Sequence, residues 1–210
     1  MYSVGFDLDL TLADTRAGIA ATLDELARRL GVHIDSATAI ARLGPPLEQE
    51  LAHWMPAEEV PAAADLYREL GLEIAIPMTT AMAGAAEAVA LVRRHGGRVI
   101  VVTAKHEVSA RRIVEALGLE ADQVVGSVFA AGKGAAIRSF GAAVYVGDHV
   151  GDIAAAKAGG ALSVGVATGP YTADALRDHG ADVVLSDLTG FGQWYDGWRG
   201  PEIEAVSTVM

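Results

Sequence analysis

The sequence predicts an α/β protein, a Rossmann-like parallel sheet with helices on both faces and an inserted α-helical cap. Short β-branched runs alternate with segments of helical spacing, and this alternation favours a parallel sheet covered on both faces. One interval between predicted strands is far longer than a crossover needs, which indicates an insertion. With 210 residues, 51% of them hydrophobic, the chain can form one packed domain that carries such an insertion.

The predicted strands lie where β-branched residues cluster between turn residues. The second is apolar over VIVV, residues 99–102, which is typical of a strand buried on both faces. Segments of helical spacing separate the strands, such as Ile113, Val114 and Leu117 after the second. The five predicted strands span residues 3–6, 98–103, 143–146, 162–166 and 182–185.

The insertion lies between the first strand, which ends near Asp7, and the second, which begins near Arg98. Residues 83–96 suit the ordinary crossover helix, ended by a glycine pair, so residues 15–80 are additional. Apolar stripes at helical spacing recur within them, and Gly44-Pro45-Pro46 predicts a rigid break. We therefore predict a core domain of residues 1–14 plus 81–210 and a helical cap domain of residues 15–80. The cap should lie over the carboxyl ends of the strands, where ligands of open α/β folds bind.

Composition excludes several classes of function. A formal net charge of -11 and a pI of about 4.9 disfavour nucleic acid and anionic membrane surfaces as partners. The absence of cysteine excludes disulfides and thiolate metal sites. No run reaches the roughly 18–20 apolar residues that a membrane span needs. From these features we expect a soluble cytoplasmic protein without a membrane or nucleic-acid partner.

Two aspartates follow the first predicted strand, in the motif D-L-D-L-T of Asp7, Asp9 and Thr11. One carboxylate would cap a turn as well as two, so the pair suggests chemistry, although capping alone also explains a single D-x-D motif.

Further polar residues mark the ends of later strands. Thr103 closes the second strand, and either caps the next turn or contacts a bound anion. Lys133 lies at a predicted helix start, where a lysine opposes the helix dipole unless an anion is near. The segment V-G-D-H-V-G-D places Asp148 and Asp152 on one side of a first helical turn. Acids that converge on one end of a sheet repel each other, and a hard cation such as Mg²⁺ would relieve that repulsion.

The combination of D-L-D-L-T, Thr103, Lys133 and G-D-x-x-x-D, residues 147–152, resembles the haloacid dehalogenase-like hydrolase superfamily. The helical insertion resembles its C1-type cap, and the motif set is most similar to that of phosphoglycolate phosphatase-like members. The resemblance covers residues 2–190. Two departures are Leu10, where many relatives have glycine, and Gly134 after the lysine, where many phosphoglycolate-type members have proline.

The resemblance implies a role for each motif residue. Asp7 would be the nucleophile that forms an aspartyl phosphate, and Asp9 the group that protonates the leaving oxygen and then activates water. Thr103 and Lys133 would hold the phosphoryl oxygens, together with backbone and side-chain groups of Leu8, Thr11, Ala104, Lys105 and, in the cap, Arg16. Mg²⁺ would be held by Asp7, the Asp9 carbonyl, Asp148 and, as a more distant or water-mediated partner, Asp152.

The function predicted on this basis is a Mg²⁺-dependent phosphatase that acts on a small phosphorylated metabolite, a phosphoglycolate-like compound or a sugar phosphate. Two alternatives remain open, a sugar phosphomutase with the same core and a non-catalytic phosphate-binding regulatory protein. Specificity should come from the cap, with Arg16, Arg42 and residues 43–47 as candidates. Closure of the cap should pivot near residues 14–15 and 80–84.

Overall fold

We obtained a computed structural model of the chain, which describes residues 2–198. Its centre is a six-stranded parallel sheet in the order β5-β4-β1-β6-β7-β8. The predicted α/β fold class is therefore confirmed. The strands are β1 (Ser3–Phe6), β4 (Arg98–Val102), β5 (Gln123–Val125), β6 (Ala142–Gly147), β7 (Leu162–Val166) and β8 (Val183–Leu185), and a separate antiparallel pair joins β2 (Ala13–Asp14) to β3 (Thr80–Ala81).

The central strands are apolar on both faces because helices cover both sides of the sheet. All four residues of β1 are buried, and so are the last four of β4, as expected for central strands of a parallel sheet. The helices that follow or connect the strands are α6 (Ala85–Arg94), α7 (Glu107–Ala116), α8 (Ala131–Ser139), α9 (Val150–Gly159), α10 (Ala173–Asp178) and α11 (Phe191–Gly197).

The predicted insertion is helical and has its own hydrophobic cluster. That cluster includes Ile19, Leu23, Leu26, Leu51 and Leu70, and it is distinct from the two clusters that flank the sheet. Its five helices are α1 (Arg16–Leu30), α2 (Ser36–Ile40), α3 (Leu47–Leu51), α4 (Val60–Glu73) and α5 (Ala75–Met78). A separate core allows this unit to pack as one body beside the sheet.

The two segments that join the insertion to the sheet pair with each other. Strand β2 lies antiparallel to β3, with Ala13 opposite Ala81 and Asp14 opposite Thr80. The chain therefore leaves and re-enters the sheet domain through one short ladder, at the positions where we predicted the pivots of cap closure.

Several details were not predicted. The edge strand β5 is only three residues long, too short for a periodic signal to stand out. Helix α2 was also missed, because its five residues carry no apolar stripe. Leu30 is exposed, so the buried face of α1 ends at Leu26. Helix α1 does end where predicted, at Gly31, whose φ of 67° is left-handed.

The C-terminal aromatic residues pack against the sheet domain. Tyr195 stacks on Phe191, and Trp198 meets Tyr2 edge-on. The hydroxyl groups of Tyr2 and Tyr195 lie 2.5 Å apart. The loose tail predicted beyond this cluster falls on residues 199–210, outside the described part of the chain. Within residues 2–198, every helix is too short or too polar to cross a bilayer.

Gly84 should be required for the start of α6. Its φ is 81°, and a Cβ there would lie 2.4 Å from the backbone carbon of Leu188. We expect Gly84→Ala to lower the free energy of unfolding by about 2–4 kcal/mol, because strain and overlap with backbone add. Gly96→Ala is the matched control, since Gly96 has a φ of 75° and open space around it. Chemical denaturation should show the larger loss for Gly84→Ala, and equal losses would contradict the packing argument.

Candidate active site

The candidate site lies at the carboxyl ends of three neighbouring strands. Strand β1 is flanked by β4 and β6, and Asp7, Thr103 and Asp148 directly follow β1, β4 and β6. On one side of β1 the sheet continues through β4 and β5, and on the other side through β6, β7 and β8. Open α/β sheets form a crevice at such a topological switch point. Residues almost 150 positions apart thus meet because their strands are neighbours.

Three carboxylates form a buried cluster at this point. Asp7, Asp148 and Asp152 each offer an oxygen atom, and these atoms lie within 4.8 Å of one another. Their exposed fractions are only 7%, 3% and 3%. Such a cluster costs electrostatic free energy unless cations compensate it.

The pKa values show this cost. Burial raises the pKa of Asp7 from 3.8 to about 7, and nearby Asp152 and Asp9 add to the shift while Lys133 opposes it. Burial also raises the pKa of Asp148 well above its usual value, with Asp152 and Asp7 as further causes. In the folded protein both acids therefore bind a proton more readily than they would in water.

Lys133 is the cation within the cluster. Its Nζ atom lies 2.6 Å from Oδ1 of Asp152 and 3.1 Å from Oδ1 of Asp7. Burial disfavours the charged ammonium, but Asp152 and Asp7 outweigh it and raise the pKa of Lys133 above its usual value. The position in the first turn of α8, unfavourable for an isolated lysine, is thus explained by two anions nearby.

The segment that carries Asp148 and Asp152 is fixed by local hydrogen bonds. Thr11 Oγ1 donates to Asp148 Oδ1 at 2.8 Å. The backbone N–H of His149 donates to Asp152 Oδ2, while His149 Nδ1 accepts from the N–H of Gly151, which closes a capping box at the start of α9. The nearby Gly169 leaves space for Asp148, since a Cβ there would lie 1.8 Å from its Oδ2 atom.

The carboxylate of Asp9 lies outside the cluster of three. Its Oδ1 atom lies 2.9 Å from Nζ of Lys105 and accepts a hydrogen bond from Thr15 Oγ1 at 2.6 Å. Asp9 and Lys105 both line the cavity that Asp7 faces. The two aspartates of D-L-D thus have different partners, and the predicted metal contact of Asp9, which involves its backbone carbonyl, stays a prediction.

The turn after Asp7 is held in one conformation. The carbonyl of Leu8 accepts hydrogen bonds from the N–H groups of Thr11, Leu12 and Ala13. Leu10 has a φ of 59°, a left-handed conformation that favours glycine, and Thr168 Oγ1 donates to its carbonyl at 2.6 Å. Position 10, where many relatives have glycine, is thus the strained position of this turn. The side chain of Leu8 is fully buried, so only its backbone can serve the predicted phosphate contact.

Thr103 and Ala104 line the same cavity as Asp7. Thr103 is 1% exposed, and its Oγ1 atom accepts a hydrogen bond from the N–H of Lys105 at 3.2 Å. The threonine therefore shapes the loop before α7 and also borders the space where a ligand would bind.

The cavity lies between the sheet domain and the inserted helices and has a volume of about 280 Å³. Residues from α1, α4 and the predicted 43–47 loop form the wall opposite the carboxylates. Gly44 of that loop lies against the ring of His149, because a Cβ on Gly44 would be 2.6 Å from His149 Cδ2. The insertion therefore closes the space above the strand ends, as a cap would.

Arg16 is not brought to the cavity. Its guanidinium donates two hydrogen bonds to Asp14, and its side chain is 48% exposed. Arg16 does not contribute to the cavity lining, whereas Arg42 and Arg68 do. The predicted phosphate contact of Arg16 therefore has no geometric support.

The donor set fits a divalent metal ion. When all three carboxylates are ionised, as metal binding requires, they exceed the one ammonium among residues 2–198 by two negative charges. Asp7 Oδ1 is also buried without a hydrogen bond, since Lys133 is near enough for an ion pair but not in hydrogen-bond geometry. Carboxylate oxygens are the ligands that Mg²⁺ prefers. Asp7 and Asp148 would hold such an ion, with Asp152 beside them.

Comparison with known proteins agrees with this geometry. A profile of the haloacid dehalogenase-like hydrolase family matches residues 4–157, which include all of the residues discussed in the cluster. This chain belongs to that family. The family name confirms the predicted hydrolase class, and the match extends across the insertion.

Two relatives and one solved structure illustrate the range of similar proteins. "Probable phosphatase IndB" of Dickeya dadantii is 32% identical over 204 residues, 88% of this chain and 89% of its own length. Tyrosine-protein kinase PtkA of Mycobacterium tuberculosis is 29% identical over 200 residues, 88% of this chain and 68% of its own. A structure described as "a predicted phosphoglycolate phosphatase" from Haemophilus somnus has a TM-score of 0.78 at 18% identity and covers 93% of this chain and 98% of its own. This last likeness shows the fold.

Sequence reasoning missed several residues that border the site. Tyr67 and Arg68 reach the cavity from α4, and Thr15 contacts Asp9. Tyr67 lies within an apolar helical stripe, and that pattern gives no sign that a residue faces a cavity rather than a helix.

The acid cluster should make the metal-free protein less stable as the pH rises. Asp7 has a pKa of about 7 in the folded protein, whereas its usual pKa is 3.8. Between these two pH values the folded protein therefore keeps a proton on Asp7 that the unfolded chain has lost. The free energy of unfolding should therefore fall from about pH 4 to about pH 7. Asp7→Asn should make this slope shallower.

Denaturation in the presence of a chelator, repeated at several pH values, would measure that slope. Asp24→Asn, an exposed position on α1, makes the same charge change outside the site and should leave the slope unaltered. At pH values above 7, millimolar Mg²⁺ should raise the denaturant concentration at the unfolding midpoint. This increase should be larger for the native sequence than for Asp7→Asn. Equal slopes for the native protein and Asp7→Asn would contradict the conclusion that burial raises the pKa of Asp7.

Proposed function

We propose that the protein is a Mg²⁺-dependent phosphatase that hydrolyses a small phosphorylated metabolite through an aspartyl phosphate on Asp7. The observation that carries the proposal is the buried cluster of Asp7, Asp148 and Asp152 with Lys133, of which Asp7 and Asp148 line the cavity beneath the inserted helices. The relative named as a phosphatase, IndB, covers nearly the whole chain and supports the same reaction class.

In the first step an oxygen of Asp7 would attack phosphorus while the bond to the leaving oxygen breaks. The leaving oxygen takes a proton from Asp9, so an alcohol departs and the phosphoryl group stays on Asp7. Lys105 and Thr15 hold the Asp9 carboxylate at the cavity wall for this transfer. A bound Mg²⁺ would supply charge neutralisation for the phosphoryl oxygens, which must approach two carboxylates.

In the second step a water molecule attacks the phosphorus of the aspartyl phosphate. Asp9 takes a proton from that water, and inorganic phosphate leaves as the Asp7 carboxylate is restored. Thr103 lines the cavity beneath the inserted helices, Lys133 lines a second cavity, and Asp7 borders both, so these two residues would hold phosphoryl oxygens from two sides. Closure of the cap would exclude bulk water, so that the water that reacts would be one admitted to the site.

Asp7→Asn should abolish hydrolysis of p-nitrophenyl phosphate. Because an amide oxygen is a poor nucleophile and the covalent route is lost, we expect kcat/KM to fall at least about 1,000-fold. Release of nitrophenolate with and without Mg²⁺ gives the rate, and Asp24→Asn is the control. Activity retained in Asp7→Asn would exclude the aspartyl phosphate. Transfer of the phosphoryl group to a second alcohol instead of water would favour the phosphomutase alternative.

We expect full activity to require contact between the 43–47 loop and the sheet domain. Gly44→Ala places a methyl group against the His149 ring at a φ of 138°, and we expect kcat/KM to fall about tenfold together with some loss of melting temperature from backbone strain. Gly31→Ala is the matched control, because Gly31 also has a positive φ but open space. A rate equal to that of the control would show that this contact does not matter for turnover.

A further inference from the structure

We propose that the substrates of this phosphatase are phosphate monoesters whose leaving group is uncharged and has an apolar face, such as a ring. This inference rests on the proposed function and narrows it, because it separates such compounds from phosphate esters that carry a second anionic group. The argument depends on the wall of the cavity that faces the carboxylates.

That wall is largely apolar. It is built from side chains of the inserted helices and of α7, and its apolar members include Ile19, Leu23, Leu43, Leu47, Ile76 and Ile113. Ile19 and Leu23 lie one turn apart on α1, so they present one continuous apolar surface to the cavity. A leaving group with an apolar face would remove this surface from water, which favours binding by about 25 cal/mol for each Å² buried.

The cationic side chains of the wall are already neutralised. Arg42 donates to Glu50, with its closest nitrogen 2.6 Å from the carboxylate, and its guanidinium lies over the ring of Trp54. Glu50 also accepts from Trp54 Nε1 at 2.8 Å. Burial favours the neutral acid, yet Arg42 and Trp54 keep the pKa of Glu50 below its usual value, so this pair is charged and matched.

The second arginine of the wall is also ion-paired, but less completely. Arg68 of α4 pairs with Glu48, and its other terminal nitrogen lies 2.8 Å from Asp65 Oδ1, while its Nε atom is buried without a hydrogen bond. On the opposite wall, Lys105 pairs with Asp9 when Asp9 is ionised. Both arginines that line this cavity within residues 2–198 therefore have a carboxylate partner, and Lys105 lacks its partner only while Asp9 carries the proton of the proposed first step.

Two histidines and a tyrosine add to the polar lining. His149 Nδ1 accepts a hydrogen bond from the N–H of Gly151, and His106 lies at the start of α7 beside Lys105. Tyr67 brings a hydroxyl into the cavity, and burial, with Asp9 as a second cause, raises its pKa above the usual value. Hydroxyl and imidazole groups suit a neutral, hydroxylated leaving group.

Within residues 2–198, a carboxylate on the leaving group would find both arginines of the cap wall already paired. To bind, it would have to displace Glu48 or Glu50 from its arginine or remain unpaired against apolar side chains, and both choices cost free energy. Phosphoglycolate, whose carboxylate lies two bonds from the ester oxygen, is such a compound. We therefore expect it to be a poor substrate, although its phosphatases share this fold.

A matched pair of substrates tests this inference. Benzyl phosphate and 4-carboxybenzyl phosphate have the same ring and ester and differ in one distal charge. With Mg²⁺ present, kcat/KM should be at least about tenfold higher for benzyl phosphate than for either the carboxylated compound or phosphoglycolate. An equal or higher value for either anionic compound would overturn the inference while leaving the phosphatase activity established. No turnover of any of the three would overturn both.

A charge-changing variant tests the physical cause. Glu50→Gln releases Arg42 from its ion pair but can keep the hydrogen bond from Trp54, so the preference for benzyl over 4-carboxybenzyl phosphate should narrow at least about fivefold. Glu73→Gln makes the same charge change at an exposed position of α4 away from the cavity and should leave the ratio unaltered. If both variants change the ratio equally, general electrostatics rather than the Arg42–Glu50 pair governs selectivity.

Discussion

The charge imbalance at the carboxyl ends of β1 and β6 is the constraint on which the rest of the site depends. Three buried carboxylates share one ammonium, and the pKa values of Asp7 and Asp148 rise because neither water nor enough cations surround them. A further cation at this point would offset this cost, and the carboxylate oxygens are suitable ligands for it. The same imbalance would keep a phosphorylated substrate away until that cation is bound.

The structure offsets part of this cost with rigid local geometry. The capping box at His149 and the hydrogen bond from Thr11 to Asp148 hold two of the acids in place. Leu10 is held in a left-handed conformation by hydrogen bonds, since Thr168 donates to its carbonyl and its own N–H donates to the carbonyl of Ala13. Strain and repulsion of this kind are typical of reactive centres, where the surrounding fold determines the conformation.

The cap contributes a second, independent property. Its helices have their own hydrophobic cluster and reach the cavity with apolar side chains and ion-paired arginines. The sheet domain therefore accounts for the proposed reaction, and the cap accounts for the proposed choice of leaving group. Substitutions in such a cap need not alter the carboxylates, so one core can serve different substrates.

The sequence by itself indicated the α/β class, the position of the helical insertion and the acids Asp7, Asp148 and Asp152, although it grouped Asp9 with them. These follow from local signals, since β-branched runs mark buried strands and Asp7, Thr103 and Asp148 directly follow three of them. The tertiary structure alone decided that Arg16 pairs with Asp14, that Lys105 pairs with Asp9, and that Tyr67 and Arg68 reach the cavity. A helical stripe specifies which face is covered, but the surface that covers it depends on how separate helices pack, and no local pattern encodes that.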